Sequence, residues 1–327
     1  MSLISVKSLV KTFRQVKPRK GAFSSLRNLL FPEYTIKKAL DQISFEIAEG
    51  ELVGYIGPNG AGKSTTVKLL SGILTPDGGD VQVLGKCPWQ HRQEVVRELG
   101  VVFGQKTQLW WDIPVIESFK LLRDIYRIPK RDYEQTLDLL ITTLDLSHIL
   151  HMPVRTLSLG QRMRSDIAAS LIHSPKILFL DEPTIGLDAV SKLSVRDCIR
   201  KLNKEKKVTI LLTTHDMDDI EALCKRVLIL SEGRIFLDGT IQELRSSILP
   251  ERWLVIDLAH KDDFIHKTEG FVLKQEGHRV WLSYNPEVTS TPKLIAEVTS
   301  AHAITDLFVE NPPIEEIIAK FYKSANL

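Results

Sequence analysis

The chain has 327 residues, and its 43 basic and 41 acidic side chains leave a formal net charge of +2. This balance gives no reason to expect a nucleic-acid partner, and the length favours one large domain and one small one. No apolar run approaches the roughly 20 residues that cross a bilayer, and residues 1–7 lack the apolar core of a signal peptide. Three cysteines without metal-site spacing favour reduced thiols. We therefore expect a cytosolic chain that needs a partner to work at a membrane.

Short apolar strands are predicted near the start of the chain, at Ile4–Val10, Ile43–Ile47 and Leu52–Ile56, followed by a helix at Ser64–Leu70. Between the first two strands, Arg14–Lys38 is predicted to be irregular. It carries seven basic side chains and a single acid, and four of its apolar residues lie at helical spacing. Those four are Phe23, Leu26, Leu29 and Leu30.

The basic insertion, residues 14–38, has two interpretations. One is a solvated loop with a short helix. The other is an amphipathic element against a membrane protein or anionic headgroups, where each basic residue contributes about 1 kcal/mol. In the second case, neutralising Arg19, Lys20 and Arg27 weakens membrane recruitment, and unchanged co-sedimentation with permease-containing membranes would contradict it.

Helices and strands alternate through the middle of the chain, which is typical of a parallel sheet with crossover helices. Two strands flank a polar helix between Val81 and Phe103, and further strands follow. The predicted helices are Gln90–Leu99, Ile116–Tyr126, Tyr133–Leu144, Gln161–Ile172, Ser191–Leu202 and Asp216–Cys224, and the further strands are Ile177–Leu180, Val208–Thr213 and Val227–Leu230.

The pattern changes after Pro250. It predicts strands at Trp253–Leu258, Phe271–Lys274, Arg279–Tyr284 and Ile304–Val309, with helices at Pro292–Thr299 and Ile314–Phe321. We therefore predict an α/β domain over residues 1–245, with a mainly parallel sheet, antiparallel edge strands and a helical subdomain at about 106–170. A small α+β domain is predicted over residues 251–327, and its ligand or partner stays open.

A phosphate-binding loop is predicted at residues 57–64, which read G-x-x-x-x-G-K-S between a strand and a helix. Glycines let backbone N–H groups surround a phosphate, and the following helix directs its positive end toward it. Lys63 supplies a charge for the terminal phosphates, and the Ser64 hydroxyl is a ligand for Mg²⁺. A chance glycine-rich turn is the alternative, and the strand–loop–helix context argues against it. The residues expected to bind the phosphates are Gly57, Pro58, Asn59, Gly60, Ala61, Gly62, Lys63 and Ser64.

Asp181 and Glu182 are two acids that directly follow a predicted buried strand. They lie at the end of the sheet where α/β proteins bind ligands. Asp181 is placed to reach Mg²⁺, and Glu182 to polarise an attacking water. His215 directly follows another strand. A lone histidine there is often a surface or capping residue, but in this company we expect it to sense the γ-phosphate through a neutral imidazole.

The order of these motifs resembles the ATPases of ATP-binding cassette (ABC) transporters. The remaining motifs of that family are present as Leu157-Ser158-Leu159-Gly160-Gln161, Gly186-Leu187-Asp188 and Gln105. The resemblance covers roughly residues 3–240 and implies the P-loop NTPase fold of an ABC nucleotide-binding domain. It also implies ATP and Mg²⁺ as ligands, ATP hydrolysis and a second copy of the chain as partner.

The resemblance implies a role for each matching residue. Phe13 stacks on adenine, Thr65 joins the phosphate-binding residues, and Gln105 touches Mg²⁺ and reports to a membrane partner. Glu182 is the general base, and His215 the switch histidine.

A second group of residues is implied to act in trans, on the ATP that is held by the other copy. This group comprises Ser158, Gly160, Gln161 and Asp188. Ser158 starts a helix whose N–H groups would face the γ-phosphate. Leu159 departs from the family, which has glycine there, so we expect activity with an altered local turn.

Three features resemble the bacterial subgroup that serves ABC-2-type permeases, mostly exporters. They are the basic insertion, the run Phe103–Asp112 and Leu159. Within that run, Trp110 and Trp111 are either half core and half surface or anchors for the permease, and we favour the anchors. The cargo is not encoded in this chain.

Two other functions remain open. One is an ABC ATPase without a transport role, as in DNA repair or translation. The short segment from Gln105 to Leu157 and the single cassette argue against it. The other is a degenerate regulatory cassette. The presence of the functional residues argues against it, and these are Lys63, Asp181, Glu182 and His215. The leading hypothesis is an exporter ATPase, peripheral on the inner face of the cell membrane.

Overall fold

The computed structural model describes residues 2–16, 34–104, 106–243, 251–260, 268–312 and 316. It divides into two compact units, Met1–Gly239 and Thr240–Leu327. No helix among these residues has the length and apolar character needed to cross a membrane.

A six-stranded sheet is the centre of the first unit, and its strand order is β5-β6-β7-β3-β8-β9. The first five of these strands run parallel. Their bounds are β3 Leu52–Ile56, β5 Leu99–Phe103, β6 Ile177–Asp181, β7 Thr209–Thr214, β8 Arg226–Ser231 and β9 Arg234–Thr240. Residues 232 and 233 join β8 to β9 and both have positive φ, the geometry of an antiparallel hairpin turn. The last strand was not predicted from the sequence.

Helices alternate with the strands of this sheet along the chain. In the described part of the chain they are α1 Lys63–Leu70, α2 Arg92–Arg97, α3 Val115–Tyr126, α4 Lys130–Leu144, α5 Leu159–Leu171, α6 Ala189–Lys206 and α7 Met217–Leu223. The strands they flank are buried on both faces, since every residue of β3 and β7 is buried. Continuous burial explains why these strands read as apolar runs rather than alternating patterns. The predicted parallel sheet with crossover helices is confirmed.

An antiparallel sheet, in the order β2-β1-β4, packs in the same core. Its strands are β1 Ser2–Val16, β2 Tyr34–Ala48 and β4 Gly78–Val83. The prediction that Arg14–Lys38 is irregular is wrong at both ends. Residues 14–16 pair with residues 34–36 as one continued ladder, because backbone pairing carries a hairpin beyond the part that is buried. The predicted apolar helix face at 23–30 and the three arginine and lysine residues chosen for neutralisation lie outside the described residues.

The second unit has a four-stranded antiparallel sheet in the order β11-β12-β10-β13. Its elements are β10 Arg252–Leu258, β11 Phe271–Glu276, β12 Arg279–Tyr284, α8 Thr291–Ala301 and β13 Ile304–Glu310. Buried residues of β10, β12 and α8 form a separate apolar core. Of the helix predicted at Ile314–Phe321, the structure describes residue 316 alone, which is helical.

Candidate nucleotide-binding site

The loop between β3 and α1 has the backbone geometry of a phosphate cradle. Gly62 precedes α1 with φ 114°, and no side chain caps the first turn of that helix, so its N–H groups are available to an anion. A Cβ on Gly57 would lie 2.1 Å from the carbonyl oxygen of Leu230, and one on Gly62 would lie 2.5 Å from that of Ala39. The neighbouring backbone therefore requires glycine at both positions.

Lys63 is held inside this loop. Its side chain is 6% exposed, and its Nζ donates to the carbonyl oxygen of Gly57 at 2.7 Å. Burial lowers the pKa of this ammonium, while the charges of Glu182 and Asp181 act in the opposite direction. Two carboxylates thus favour the charged form of Lys63 that an anionic ligand needs.

Asp181 and Glu182 emerge at the C-terminal end of β6, as predicted. Asp181 accepts a hydrogen bond from the hydroxyl of Thr213 on β7. Glu182 has φ 56°, a left-handed conformation that costs a non-glycine residue energy and is concentrated at functional sites. Its backbone N–H donates to the carbonyl oxygen of Thr213 at 2.9 Å, which holds the chain in this turn.

His215 is brought to Glu182 by the next strand of the sheet. The His215 Nδ1 lies 3.2 Å from the Glu182 Oε2, and 58% of the His215 side chain is exposed. A polar contact to the carboxylate and an exposed ring leave the histidine free to contact a ligand above Glu182.

Two adjoining cavities meet at these residues. The first holds about 270 Å³ and is lined by Phe13, Gln15, Lys37, Ala39, Asn59, Gly60, Gly62, Lys63, Ser64, Thr65 and Glu182. The second holds about 500 Å³ and is lined by Ser64, Lys68, Ile73, Phe103, Gly104, Lys106, Asp181 and Glu182. The structure therefore brings Phe13, most of the loop residues and both acids together around a shared space.

Gly57, Pro58 and Ala61 line neither cavity, and their predicted part in phosphate binding stays a prediction. The Pro58 carbonyl oxygen accepts from the Ala61 N–H at 3.2 Å and from the Lys63 Nζ at 3.3 Å. The Ala61 side chain is 3% exposed and packs in the apolar core. Proline has no N–H to offer a phosphate, and the N–H of Ala61 is already bonded within the loop. Both residues therefore help to shape the cradle.

Gln15 and Lys37 are cavity residues that the sequence analysis missed. Phe13 pairs directly with Lys37 across the β1–β2 ladder, so both side chains lie on one face. Gln15 lies two residues farther along and shares that face. The missed signal was the hairpin register, since extending both strands places these residues beside Phe13.

Gln105 lies outside the described residues, but both of its neighbours are fixed. The N–H of Gly104 donates to the carbonyl oxygen of Asp181 at 2.7 Å, and the N–H of Lys106 donates to that of Phe103 at 2.9 Å. A Cβ on Gly104 would lie 2.1 Å from the carbonyl oxygen of Glu182. Gly104 and Lys106, on either side of position 105, both line the second cavity.

The signature residues lie at the start of α5. Ser158 is its N-cap: its Oγ accepts from the Gln161 N–H at 3.2 Å, and its own N–H donates to Gln161 Oε1 at 3.0 Å. This reciprocal capping box stabilises the helix start. Leu159 is the first helical residue, and its φ is not positive. No backbone conformation restricted to glycine therefore occurs at Leu159, and leucine fits this position without a change of the local turn.

The start of α6 packs beside the signature turn. A Cβ on Gly160 would meet the Ser191 Oγ at 2.4 Å, and one on Gly186 would meet the Leu159 side chain at 3.2 Å. Asp188 caps α6 by accepting from the Ser191 N–H, and this hydrogen bond lowers the pKa of its carboxyl group. Of the described residues that line the two cavities, none belongs to the signature.

The parallel sheet, the glycine cradle and the two acids define a P-loop nucleoside triphosphatase. Comparison with known proteins defines the family more closely. The family model described as "ABC transporter" matches residues 40–185. The uncharacterized ABC transporter ATP-binding protein MJ1023 of Methanocaldococcus jannaschii is 33% identical over 244 residues, which span 75% of this chain and 88% of that protein. The chain belongs to the family of ABC transporter ATP-binding proteins. These proteins are the ATP-hydrolysing subunits of the transporters.

Other relatives are matched over part of their length. The daunorubicin resistance ATP-binding protein DrrA3 of Streptomyces coeruleorubidus is 36% identical over 65% of this chain and 67% of its own length. The uncharacterized ABC transporter ATP-binding protein YhcH of Bacillus subtilis is 33% identical over 60% of this chain, and the match spans 63% of its length.

Solved structures of the family have the same fold. CbiO1 from Clostridium perfringens, described as part of the ABC transporter complex cbiONQ, has a TM-score of 0.62 at 26% identity. It is matched over 75% of this chain and 91% of its own. MJ0796, described as a bacterial ABC transporter cassette in a dimeric structure, has a TM-score of 0.59 at 25% identity, over 73% and 98%.

Proposed function

We propose that this chain is the ATPase subunit of an ABC-2-type membrane exporter. It works as a dimer on the cytoplasmic face of the cell membrane and drives a separate permease. The observation that carries the catalytic part is the convergence of Ser64, Asp181 and Glu182 on one cavity beside the glycine cradle. We assign the ATPase function to residues 1–245 and treat residues 251–327 as an additional domain.

Hydrolysis needs a water molecule, a base and a stabilised leaving group. In the proposed site, Glu182 accepts the proton of a water that attacks the γ-phosphorus, the bond to the β-phosphate oxygen breaks, and ADP leaves. His215, in contact with Glu182, orients that water and senses the γ-phosphate. Lys63 and the N–H groups of the cradle stabilise charge on the phosphate oxygens, while Phe13 stacks on the adenine.

The donors around the second cavity suit Mg²⁺. Ser64 and Asp181 supply oxygen ligands, which this cation prefers, and a catalytic Mg²⁺ is held by few protein ligands beside the phosphates. Bound there with the contribution of Gln105, the ion would neutralise charge on the β- and γ-phosphates.

The second half of the site would come from another copy of the chain. Ser158, Gly160 and Gln161 stand at an N-terminus of a helix, where N–H groups favour an anion. Asp188 lies beside them at the start of α6. We propose that this surface closes over the ATP of the partner copy, so that two ATP molecules are enclosed between two chains.

Two exposed tryptophans support the permease partner. Trp110 and Trp111 are 41% and 49% exposed, and exposed aromatic residues make good anchors in protein interfaces. They follow the segment beside the second cavity, so a partner bound there would be near the site of hydrolysis. The name of DrrA3, a daunorubicin resistance ATP-binding protein, supports export as the direction of transport.

The Glu182→Gln variant tests the proposed mechanism. An amide cannot accept the water proton, so we expect turnover to disappear while ATP binding persists and a stable dimer accumulates. ATPase rate, nucleotide binding and sedimentation measure these three outcomes. Glu134→Gln is the matched control, since Glu134 is exposed on α4 and lines neither cavity. Undiminished turnover by Glu182→Gln would disprove the assigned base.

The transport role is tested separately, by purification of the chain from membranes of its own cell. Copurification of a multi-helix membrane protein is expected for the exporter, and its absence would favour an ABC ATPase without a transport role. The Trp110→Ala and Trp111→Ala double variant should lose that copurification without losing ATP binding.

A further inference from the structure

A buried carboxylate joins the signature helix to the segment that follows position 105. Asp166, in the middle of α5, is 4% exposed. Its Oδ1 accepts from the Thr107 hydroxyl at 2.8 Å and from the Gln108 N–H at 3.0 Å. The Gln108 Nε2 returns a hydrogen bond to the Asp166 carbonyl oxygen at 2.8 Å. A charged acceptor makes these bonds stronger than neutral ones.

The segment is ordered around the same carboxylate. The Thr107 Oγ1 also accepts from the Leu109 N–H at 3.1 Å, so this hydroxyl fixes its own turn as well as the helix. A second contact lies one turn earlier on α5, where the guanidinium of Arg162 lies 5.7 Å from the centre of the Trp111 ring. Residues 107–111 are therefore attached to α5 at two levels.

α5 has other sources of stability besides these contacts. Its start has its own capping box, and the apolar residues Met163 and Ile167 are buried. An aspartate buried at this depth carries a desolvation cost that an apolar residue would avoid. The carboxylate instead provides a directional link between two elements, which an apolar contact does not.

We propose that Asp166 is a positioning residue: it fixes residues 107–109 to α5 and thereby sets where Ser158–Gln161 stands for closure of the dimer. A helix of this length moves as one stiff body, so a displacement at Asp166 moves the signature turn at its start. The phosphate cradle lies between β3 and the start of α1, and none of these bonds involves its residues. This inference rests on the dimer proposed above.

The test separates nucleotide binding from dimer closure. The Glu182→Gln chain serves as parent, and Asp166→Ala and Thr107→Val are each added to it. Binding of magnesium-ATP is measured by equilibrium dialysis at protein concentrations below those that dimerise. Dimer formation is measured by sedimentation velocity over a series of ATP concentrations.

We expect Asp166→Ala to need about tenfold more ATP for half-maximal dimer formation, because it removes two hydrogen bonds to a charged group. Its ATP affinity in the dilute, monomeric state should stay within about twofold of the parent. Thr107→Val should change dimer formation in the same direction by less. The double variant should be no worse than Asp166→Ala alone, since both break one network.

Ser170→Ala is the matched control. Ser170 is buried on the same helix and donates only within it, to the Ile167 carbonyl oxygen at 2.7 Å. It should dimerise like the parent.

Three results would overturn the inference. One is dimer formation by Asp166→Ala and Thr107→Val at the parent's ATP concentration. The second is an equal loss of ATP binding and dimer formation in Thr107→Val, which would mean a general structural role. Because Thr107 is only half-buried, we expect this variant to fold. The third is a parent chain that does not dimerise with ATP. This result would contradict the proposed dimer, and with it the inference that rests on that dimer.

Discussion

Gly104 shows how one missing side chain shapes the catalytic end of the sheet. Its Cα lies against the backbone that carries Glu182, and its N–H bonds to the carbonyl oxygen of Asp181. The two acids were predicted from the sequence because a buried strand followed by carboxylates is a recognisable pattern. The need for glycine opposite them was not predicted, since residues 104 and 182 meet only when β5 pairs with β6.

We predict that Gly104→Ala lowers the turnover number by on the order of 100-fold, because a displacement of about 1 Å at reacting groups has that effect. The added Cβ would lie 2.1 Å from the Glu182 carbonyl oxygen, so the backbone there must move. Steady-state ATPase kinetics measure the effect. Gly78→Ala is the control, because its Cβ would come no nearer than 3.8 Å to Val10. Equal rates for both variants would argue against this role.

A second prediction at this scale concerns the cation beside Phe13. Lys37→Met should weaken ATP binding by about two- to fivefold at low salt, the range expected of an exposed charge pair. The effect should shrink as salt screens the interaction. Arg14→Met is the matched control, because Arg14 pairs with Ile36 on the other face of the hairpin. Equal losses in both variants would indicate a general charge effect.

At the scale of elements, the sequence located most helices and strands but not the length of the first hairpin. Residues 14, 15 and 34–36 are exposed, so no alternating pattern of burial marks them. They are strands because their backbones pair with each other. The capping box at Ser158 shows the opposite case, since a serine followed three residues later by a glutamine is a local signal.

The buried aspartate of α5 makes the stability of the first unit depend on pH. Burial raises the pKa of Asp166 to about 6 from an ordinary 3.8, although its hydrogen bonds to Thr107 and Gln108 act in the opposite direction. A folded-state pKa above the unfolded one means that folding favours the protonated form. The stabilisation is complete below about pH 4 and is lost as the pH rises through about 6.

We therefore predict that the free energy of unfolding of the wild type falls, relative to Asp166→Asn, by ~3 kcal/mol between about pH 3.5 and 7.5. The amide does not titrate, so the difference between the two chains isolates this one group. Urea unfolding of the first unit at a series of pH values measures it. A difference that does not change with pH would show that the carboxyl group titrates normally.

At the scale of the whole molecule, two separate apolar cores define two units. One core contains Tyr55, Phe179 and Leu228, and the other contains Leu254, Leu282 and other residues of the second unit. The change of pattern after Pro250 predicted a second domain from the sequence. What that domain binds was not predictable, because its strands contain no sequence motif of known chemistry.

The two cores give a reciprocal prediction. Leu282→Ala should destabilise the second unit by about 2–5 kcal/mol, the range for a fully buried leucine, and leave the unfolding of the first unit unchanged. Leu228→Ala should do the reverse. Calorimetry with and without magnesium-ATP assigns the transitions, since ATP stabilises only the unit that binds it. A single transition shifted by both variants would show that the units unfold together.

The sequence by itself determined the family, the phosphate loop, the paired acids and the signature. These depend on residues close together in the chain, and backbone geometry ties their spacing to one chemistry. The tertiary structure decided which residues share a cavity, and it added Gln15, Lys37 and Gly104 to those that surround the site. It also linked the buried aspartate of α5 to residues 107 and 108, far from it along the chain. Strand register and helix packing bring such residues together, and neither is visible in a local pattern.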